Sequence, residues 1–221
     1  MTQSIIKPIL GLLISYLLGS IPTGYLFGRW TKGIDLRQHG SGNLGATNAF
    51  RVLGKKIGTT VLILDILKGT IAILLAKFLF YVPSTNLSIN LYLCLAAITV
   101  VSGHNWTCFL GFKGGKGVAT TLGALIAFSI LVDRFVWLLV CMIILWLTCF
   151  LSTGLVSLAS IIASICLPIA ALFLRIPTEV TIFLALLGGF SVFRHKSNIS
   201  RILQKKESRF DTKKILKKFF K

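Results

Sequence analysis

Carboxylates are scarce in this sequence: six aspartates and glutamates stand against 24 lysines and arginines in 221 residues. Metal-dependent transfer of the kind CDP-alcohol phosphotransferases perform needs several aspartates at fixed spacing, and Asp35, alone in the first polar loop, cannot supply them. The five cysteines (Cys94, Cys108, Cys141, Cys149, Cys166) are scattered through apolar segments without a CxxC pair, so neither a disulfide framework nor a metal site is expected. Histidine is rarer still, with three. Five residues after His39, His104 and His195 stand Leu44, Phe109 and Ser200, so the HxxxxD pattern of thioester-using glycerolipid acyltransferases is missing. HExxH, GxSxG and Cys/His clusters are also missing, and neither a metal nor a cofactor is expected. No cleaved signal peptide is expected either, because the first apolar run is too long and passes straight into Gly28-Arg29.

What the chain has in abundance is apolar sequence: 55% of residues are hydrophobic and the mean hydropathy is +0.85. A hydrocarbon core is crossed by about 20 apolar residues. Seven runs of roughly that kind are predicted as helices, at 5–27, 58–80, 87–103, 118–132, 135–151, 155–174 and 178–193. Asp133-Arg134 separates the fourth from the fifth. Read as one helix, the two would rise roughly 50 Å, well beyond the core thickness, so a hairpin is preferred. The expected fold class is all-α: a polytopic integral membrane protein of about seven transmembrane helices, forming a single domain over residues 1–221.

Charge orients it. The 28–57 loop carries Arg29, Lys32, Arg37, Arg51, Lys55 and Lys56, the 104–117 loop Lys113 and Lys116, and the tail from Arg194 eleven more. With seven spans these nineteen share one side, which the positive-inside rule makes cytoplasmic, leaving the N-terminus outside and the C-terminus inside. Attraction to anionic membrane lipids accounts for the +18 net charge, and nucleic acid is not an expected partner. Residues 201–221 form a basic amphipathic tail. Ile215, Leu216, Phe219 and Phe220 share one helical face, predicting a short interfacial helix.

Three polar segments carry candidate chemistry. The first, His39-Gly40-Ser41-Gly42-Asn43-Leu44-Gly45-Ala46-Thr47-Asn48, contains GxGxxG but lacks the preceding strand of a dinucleotide fold. Its glycines allow backbone amides to converge on an anion, and Ser41, Asn43, Thr47, Asn48 and Arg51 add side-chain donors. A tight linker fits the same residues. The second, Gly111-Phe112-Lys113-Gly114-Gly115-Lys116-Gly117, fails as a Walker A loop but opens the fourth run, where free helix N–H groups beside Lys116 suit an anion. A simple helix start obeying the positive-inside rule fits equally. Gly115 is expected to need close approach and a positive φ. In the third, His195 and Asn198 share a helix face beside Arg194, Lys196 and Arg201, which also fits a snorkelling basic collar. Within the second run, Asp65 and Lys68 stand three apart and are expected to pair, either structurally or to hold the first loop.

Together these segments resemble the bacterial acyl-phosphate-dependent glycerol-3-phosphate acyltransferase family. The resemblance runs through Gly19-Ser20-Ile21-Pro22-Thr23-Gly24-Tyr25, residues 40–48 with Arg51, Leu64-Asp65-Ile66-Leu67-Lys68-Gly69, Gly103-His104-Asn105, residues 112–120, and Arg194-His195-Lys196-Ser197-Asn198-Ile199 with Arg201 and Glu207. It departs at Thr153-Gly154-Leu155-Val156-Ser157, where the family carries a basic and an aromatic residue. It departs again at Lys205-Lys206-Glu207, where the family tends to have a glycine. The resemblance implies acyl transfer from acyl phosphate to glycerol 3-phosphate, giving lysophosphatidic acid and phosphate at a bacterial cytoplasmic (inner) membrane, without metal or cofactor. It implies Ser41, Arg51, Lys116, His195 and Asn198 as catalytic residues. Gly42, Asn43, Gly45, Thr47 and Asn48 would hold acyl phosphate, and Gly114 and Gly115 glycerol 3-phosphate. Either His195 or the substrate's own phosphate would take the hydroxyl proton. A membrane anion transporter is the alternative function.

Overall fold

The computed structural model describes residues 2–83 and 87–213. The tail's expected interfacial helix falls mainly on residues 214–221, outside the described residues. Among the described residues all regular structure is helical, in ten α-helices. These are α1 (Thr2–Ser20), α2 (Thr23–Lys32), α3 (Ala46–Leu53), α4 (Lys55–Leu75, continued by a π-helical turn Ala76–Phe80), α5 (Ile89–Asn105), α6 (Val118–Leu131), α7 (Phe135–Thr153), α8 (Val156–Phe173), α9 (Thr178–Arg194) and α10 (Lys196–Leu203). Among the described residues, four helical stretches are long and apolar enough to cross a membrane: Ile5–Lys32, Ile89–Leu110, Phe135–Thr153 and Val156–Phe173. The protein is a multi-pass membrane protein. Large apolar side chains on α1 (Ile5, Ile9 and Leu13, spaced by four) are roughly half exposed, as suits a face turned to lipid.

The first apolar run is not one continuous helix. Pro22 has no N–H and disfavours helical geometry at Ile21, so α1 stops at Ser20 and the short α2 restarts at Thr23. The fourth and fifth runs are also separate helices, broken at residues 132–134 where Arg134 takes a left-handed φ of 64°.

Chain contacts divide the protein into two compact units, Met1–Asp133 and Arg134–Lys221. In the first, small residues bring backbones together. Gly11, Ser15 and Gly19 repeat every four residues on α1, and a Cβ at Gly19 would strike the Val100 carbonyl of α5. A Cβ at Gly103 would in turn strike the Tyr16 carbonyl. In lipid, where tails solvate apolar side chains as well as a neighbouring helix does, such close packing drives association. The same device joins α4 to α6, through Gly69 against Thr120 and Gly123 against Ile66, with the Thr70 hydroxyl donating to the Gly123 carbonyl at 2.9 Å. In the second unit Gly188 of α9 approaches the Ser164 carbonyl of α8, and the Ser164 and Ser191 hydroxyls meet at 2.7 Å. Trp146 of α7 donates its indole N–H to Ser160 Oγ at 3.1 Å.

Candidate functional site

The first polar loop is a built structure. Asp35 caps a short 3-10 turn at Leu36–Gln38 by accepting from the Arg37 amide at 2.9 Å, and it pairs with the Arg37 guanidinium at 2.7 Å. That hydrogen bond from the guanidinium, against the opposing effect of burial, holds the Asp35 carboxyl below its ordinary value. Asn48, on the first turn of α3 and 1% exposed, organises the rest. Its carboxamide donates to the carbonyls of Leu36 (3.3 Å), His39 (3.0 Å) and Asn43 (2.9 Å), and its Oδ1 accepts the Ser41 amide at 2.9 Å. Asn43 Oδ1 accepts the Gly45 amide at 2.8 Å. Gly40 and Gly42 take left-handed φ values of 62° and 70°, which a side chain resists. Asn48 therefore faces inward as the loop's keystone. Ser41, Gly42 and Arg51 stand exposed, and Thr47 and Gly45 are half-buried.

Beneath this loop lies a buried polar cluster at the α1–α2 break. Asp65 Oδ1 accepts the Thr23 hydroxyl at 2.7 Å and pairs with Lys68 Nζ at 2.9 Å. Lys68 also donates to the Ile21 carbonyl at 3.0 Å, which at the break takes the Thr23 amide at 3.0 Å in place of a donor four residues on. Breaking the helix and burying the ion pair are thus one solution. The pair is held by the very carbonyl and hydroxyl that the Pro22 break presents, with Asp65 Oδ2 left buried without a hydrogen bond among the described residues, and it locks the segment leading into the first loop. His104 Nδ1 lies 3.6 Å from the same carboxylate oxygen, and Thr107 donates its hydroxyl to the Ser20 carbonyl at 2.6 Å. A small cavity opens among Ser20, Thr23, Lys68, His104, Thr107 and the Gly114-Gly115 turn, with Leu44 of the first loop on its wall.

The second loop folds back on the helix it leaves. The Gly114 amide donates to the Asn105 carbonyl at 3.2 Å and the Gly115 amide to the His104 carbonyl at 2.9 Å, capping the last turn of α5. These two amides point at α5, so the glycines contribute shape and close approach rather than donors. Gly111, Phe112 and Gly117 take left-handed φ values of 62°, 60° and 79°, and Gly115, where the sequence suggested one, does not. Gly117 opens α6, whose Thr121 amide is the first to return to it, at 2.7 Å. The amides of Val118, Ala119 and Thr120 are therefore the N-terminal donors of the helix beside half-buried Lys116.

In the second unit, His195 caps α9 and is 3% exposed, with Nδ1 2.7 Å from the Ser191 carbonyl. A carbonyl only accepts, so Nδ1 carries the proton and, in the neutral ring, Nε2 is the basic nitrogen. Asn198, three residues on in α10, donates to Glu207 Oε1 at 2.6 Å. The same carboxylate accepts Ser157 Oγ at 2.8 Å and Arg201 Nε at 2.7 Å. Burial pushes the Glu207 carboxyl up, but the bonds from Arg201, Asn198 and Ser157 outweigh it and hold the group below its ordinary value. Among the described residues no group of three His, Cys, Asp or Glu is placed to hold a metal ion.

The structure thus keeps Ser41, Gly42, Asn43, Gly45, Thr47, Asn48 and Arg51 on one loop and its following helix. It sets Gly114 and Gly115 against α5, with Lys116 next in the loop, and His195 and Asn198 within the second unit. Sequence reasoning missed the joint role of Thr23, Lys68 and His104. The available signal was a proline breaking an apolar run one span before a buried acid–base pair.

Residues 9–205 match the family model described as glycerol-3-phosphate acyltransferase. The chain is 42% identical over 217 residues to the glycerol-3-phosphate acyltransferase of Synechocystis sp., covering 96% of this chain and 95% of that one. It is 41% identical over 199 residues to that of Clostridium acetobutylicum, covering 90% and 98%. It superposes with a TM-score of 0.82 on the crystal structure of PlsY, an integral membrane glycerol 3-phosphate acyltransferase, in its glycerol 3-phosphate form, at 39% identity and over 95% of this chain and 98% of that one. The lysophosphatidic acid form of PlsY gives a TM-score of 0.80 at 38% identity.

Proposed function

This chain belongs to the glycerol-3-phosphate acyltransferase family, and we propose that it moves a fatty acyl group from acyl phosphate to glycerol 3-phosphate, releasing lysophosphatidic acid and phosphate. The observation that carries the mechanism is the first loop. Asn48 spends its own carboxamide on holding that loop open, so that exposed Ser41 and Gly42 are presented with Arg51 one helical turn beyond Asn48. Such a frame suits the phosphate of an acyl phosphate through the Ser41 and Thr47 hydroxyls, which the loop fixes in place by bonding the Ser41, Gly42 and Gly45 amides internally, so that donors meet the charge without reorganising. Acyl phosphate is a mixed anhydride that already contains its leaving group, so no enzyme nucleophile is required and positioning supplies the catalysis.

Lys116 and the Val118–Thr120 amides serve the acceptor's phosphate, with Arg51, His195 and Asn198 also assigned to glycerol 3-phosphate. Either His195, through Nε2, or the substrate's own phosphate takes the proton from the attacking hydroxyl. The family match removes the anion-transporter alternative. The concentration of nineteen cations in the 28–57 loop, the 104–117 loop and the tail supports a bacterial cytoplasmic membrane location, with the N-terminus outside and the C-terminus inside. It also supports contact with anionic lipids. We read residues 1–221 as one functional membrane domain with a basic tail from 201.

A donor comparison tests this. Purified protein given glycerol 3-phosphate is expected to make lysophosphatidic acid from acyl phosphate and not from acyl-coenzyme A. Turnover with the thioester at an equal rate would overturn the assignment of the first loop to a phosphate.

A further inference from the structure

We propose that His104 is a positioning residue for the acceptor site: it sets the Gly114-Gly115 turn, and so aims Lys116 and the start of α6. This rests on the assignment of Lys116 to glycerol 3-phosphate. Four observations converge on His104. It sits at the end of α5 with its side chain 7% exposed. Its Nδ1 edge faces Asp65, which Thr23 and Lys68 hold from two other segments. Its Nε2 edge fills the space where a Cβ on Gly115 would fall. Its own carbonyl takes the Gly115 amide at 2.9 Å. The turn is therefore gripped twice by one residue, by backbone and by ring, and that ring leans on a buried carboxylate whose Oδ1 Thr23 and Lys68 hold in place. A small shift of the imidazole moves the turn and the lysine that follows, while Ser41 and the first loop hang on a different anchor, Asn48.

A mutant cycle between Gly115 and His104, made in the full chain, tests this. Gly115→Ala puts a methyl group into the ring and is expected to raise KM for glycerol 3-phosphate about tenfold. KM for acyl phosphate should change less than about twofold. In a His104→Asn background, which shortens the side chain but keeps a polar group toward Asp65, the same methyl should cost less than about threefold. An equal cost in both backgrounds would overturn the proposal, as would a matching rise in KM for acyl phosphate or a fall in kcat with both KM values unchanged.

If Gly115→Ala does not insert stably, recovery of insertion by adding His104→Asn supports the proposal. A double variant as unstable as Gly115→Ala, beside a normal His104→Asn, refutes it. The thermal melting of the four proteins gives the same cycle without substrate. Absence of acyl transfer by the unaltered protein would therefore count against the proposed function, while additive melting shifts would count against the role of His104.

Discussion

Asn198 donates its carboxamide to Glu207 at 2.6 Å, which makes a tail carboxylate the support of a candidate catalytic residue. Glu207 also takes Ser157 and Arg201, so one buried carboxylate ties α8, α10 and the tail together. Glu207→Ala leaves three donors without their acceptor, and each bond to a charged group is worth about 1.5–3 kcal/mol. The expected result is a lower melting temperature together with weakened turnover, read by thermal unfolding in detergent and by product formation. Because the folded carboxyl titrates below its ordinary value of 4.5, its contribution is complete above that value and is lost as pH falls through the lower, folded one. Glu207→Gln should remove this acid-side loss, and a melting curve from pH 7 down to about 3 compares the two proteins.

Lys205 follows α10 with φ 58°, in the left-handed region. Its amide bonds the Ile202 carbonyl at 2.9 Å and the Lys206 amide the Arg201 carbonyl at 2.8 Å, the double closure that glycine normally serves. The family's glycine near this point thus has a physical reason, and lysine meets the same geometry at a cost. Lys205→Gly is expected to stabilise the protein by about 0.5–1 kcal/mol with unchanged activity, read by thermal unfolding.

Asn48→Asp keeps the shape of the loop's keystone but turns its donor into an acceptor facing three carbonyls. Leaving a buried polar group so mismatched costs about 1–3 kcal/mol, and the loop should lose its form. Acyl transfer is expected to fall at least as far as in Ser41→Ala or Arg51→Ala, in each of which one transition-state contact worth about 2.7–4 kcal/mol is lost. Near-normal turnover in all three would remove residues 40–48 from the active site.

Orientation has its own test. In a background without the native cysteines, a cysteine placed at Ser84 should react with an impermeant thiol reagent in intact cells, and one at Gln38 or Ser208 should not. Labelling at Ser84 and Ser208 together would reverse the proposed placement of the tail.

Much of this molecule was readable before its structure. The apolar runs became helices because a bilayer leaves a backbone few other ways to satisfy its amides. The clustering of glycine, serine and asparagine marked the loops. Directions were not readable. Asn48 and Arg51 are both polar residues of one segment, yet one turns inward to the loop carbonyls and the other outward. Gly114 and Gly115 open a helix in sequence, yet their amides cap the preceding one. Asp65 and Lys68 were recognisable as a pair, but the Ile21 carbonyl that completes it depends on where Pro22 interrupts α1. Such choices are made by contacts distant in the chain, which local pattern does not encode.

Direct transfer from acyl phosphate to glycerol 3-phosphate leaves a signature in the order of product release. Purified protein mixed with acyl phosphate alone, at protein concentrations high enough to see one equivalent, is followed for phosphate before and after glycerol 3-phosphate is added. The expected result is no enzyme-dependent phosphate beforehand, then phosphate and lysophosphatidic acid in a one-to-one ratio. One equivalent of phosphate per protein released before the acceptor arrives would mean an acyl-enzyme intermediate, and would contradict a site that works by positioning alone.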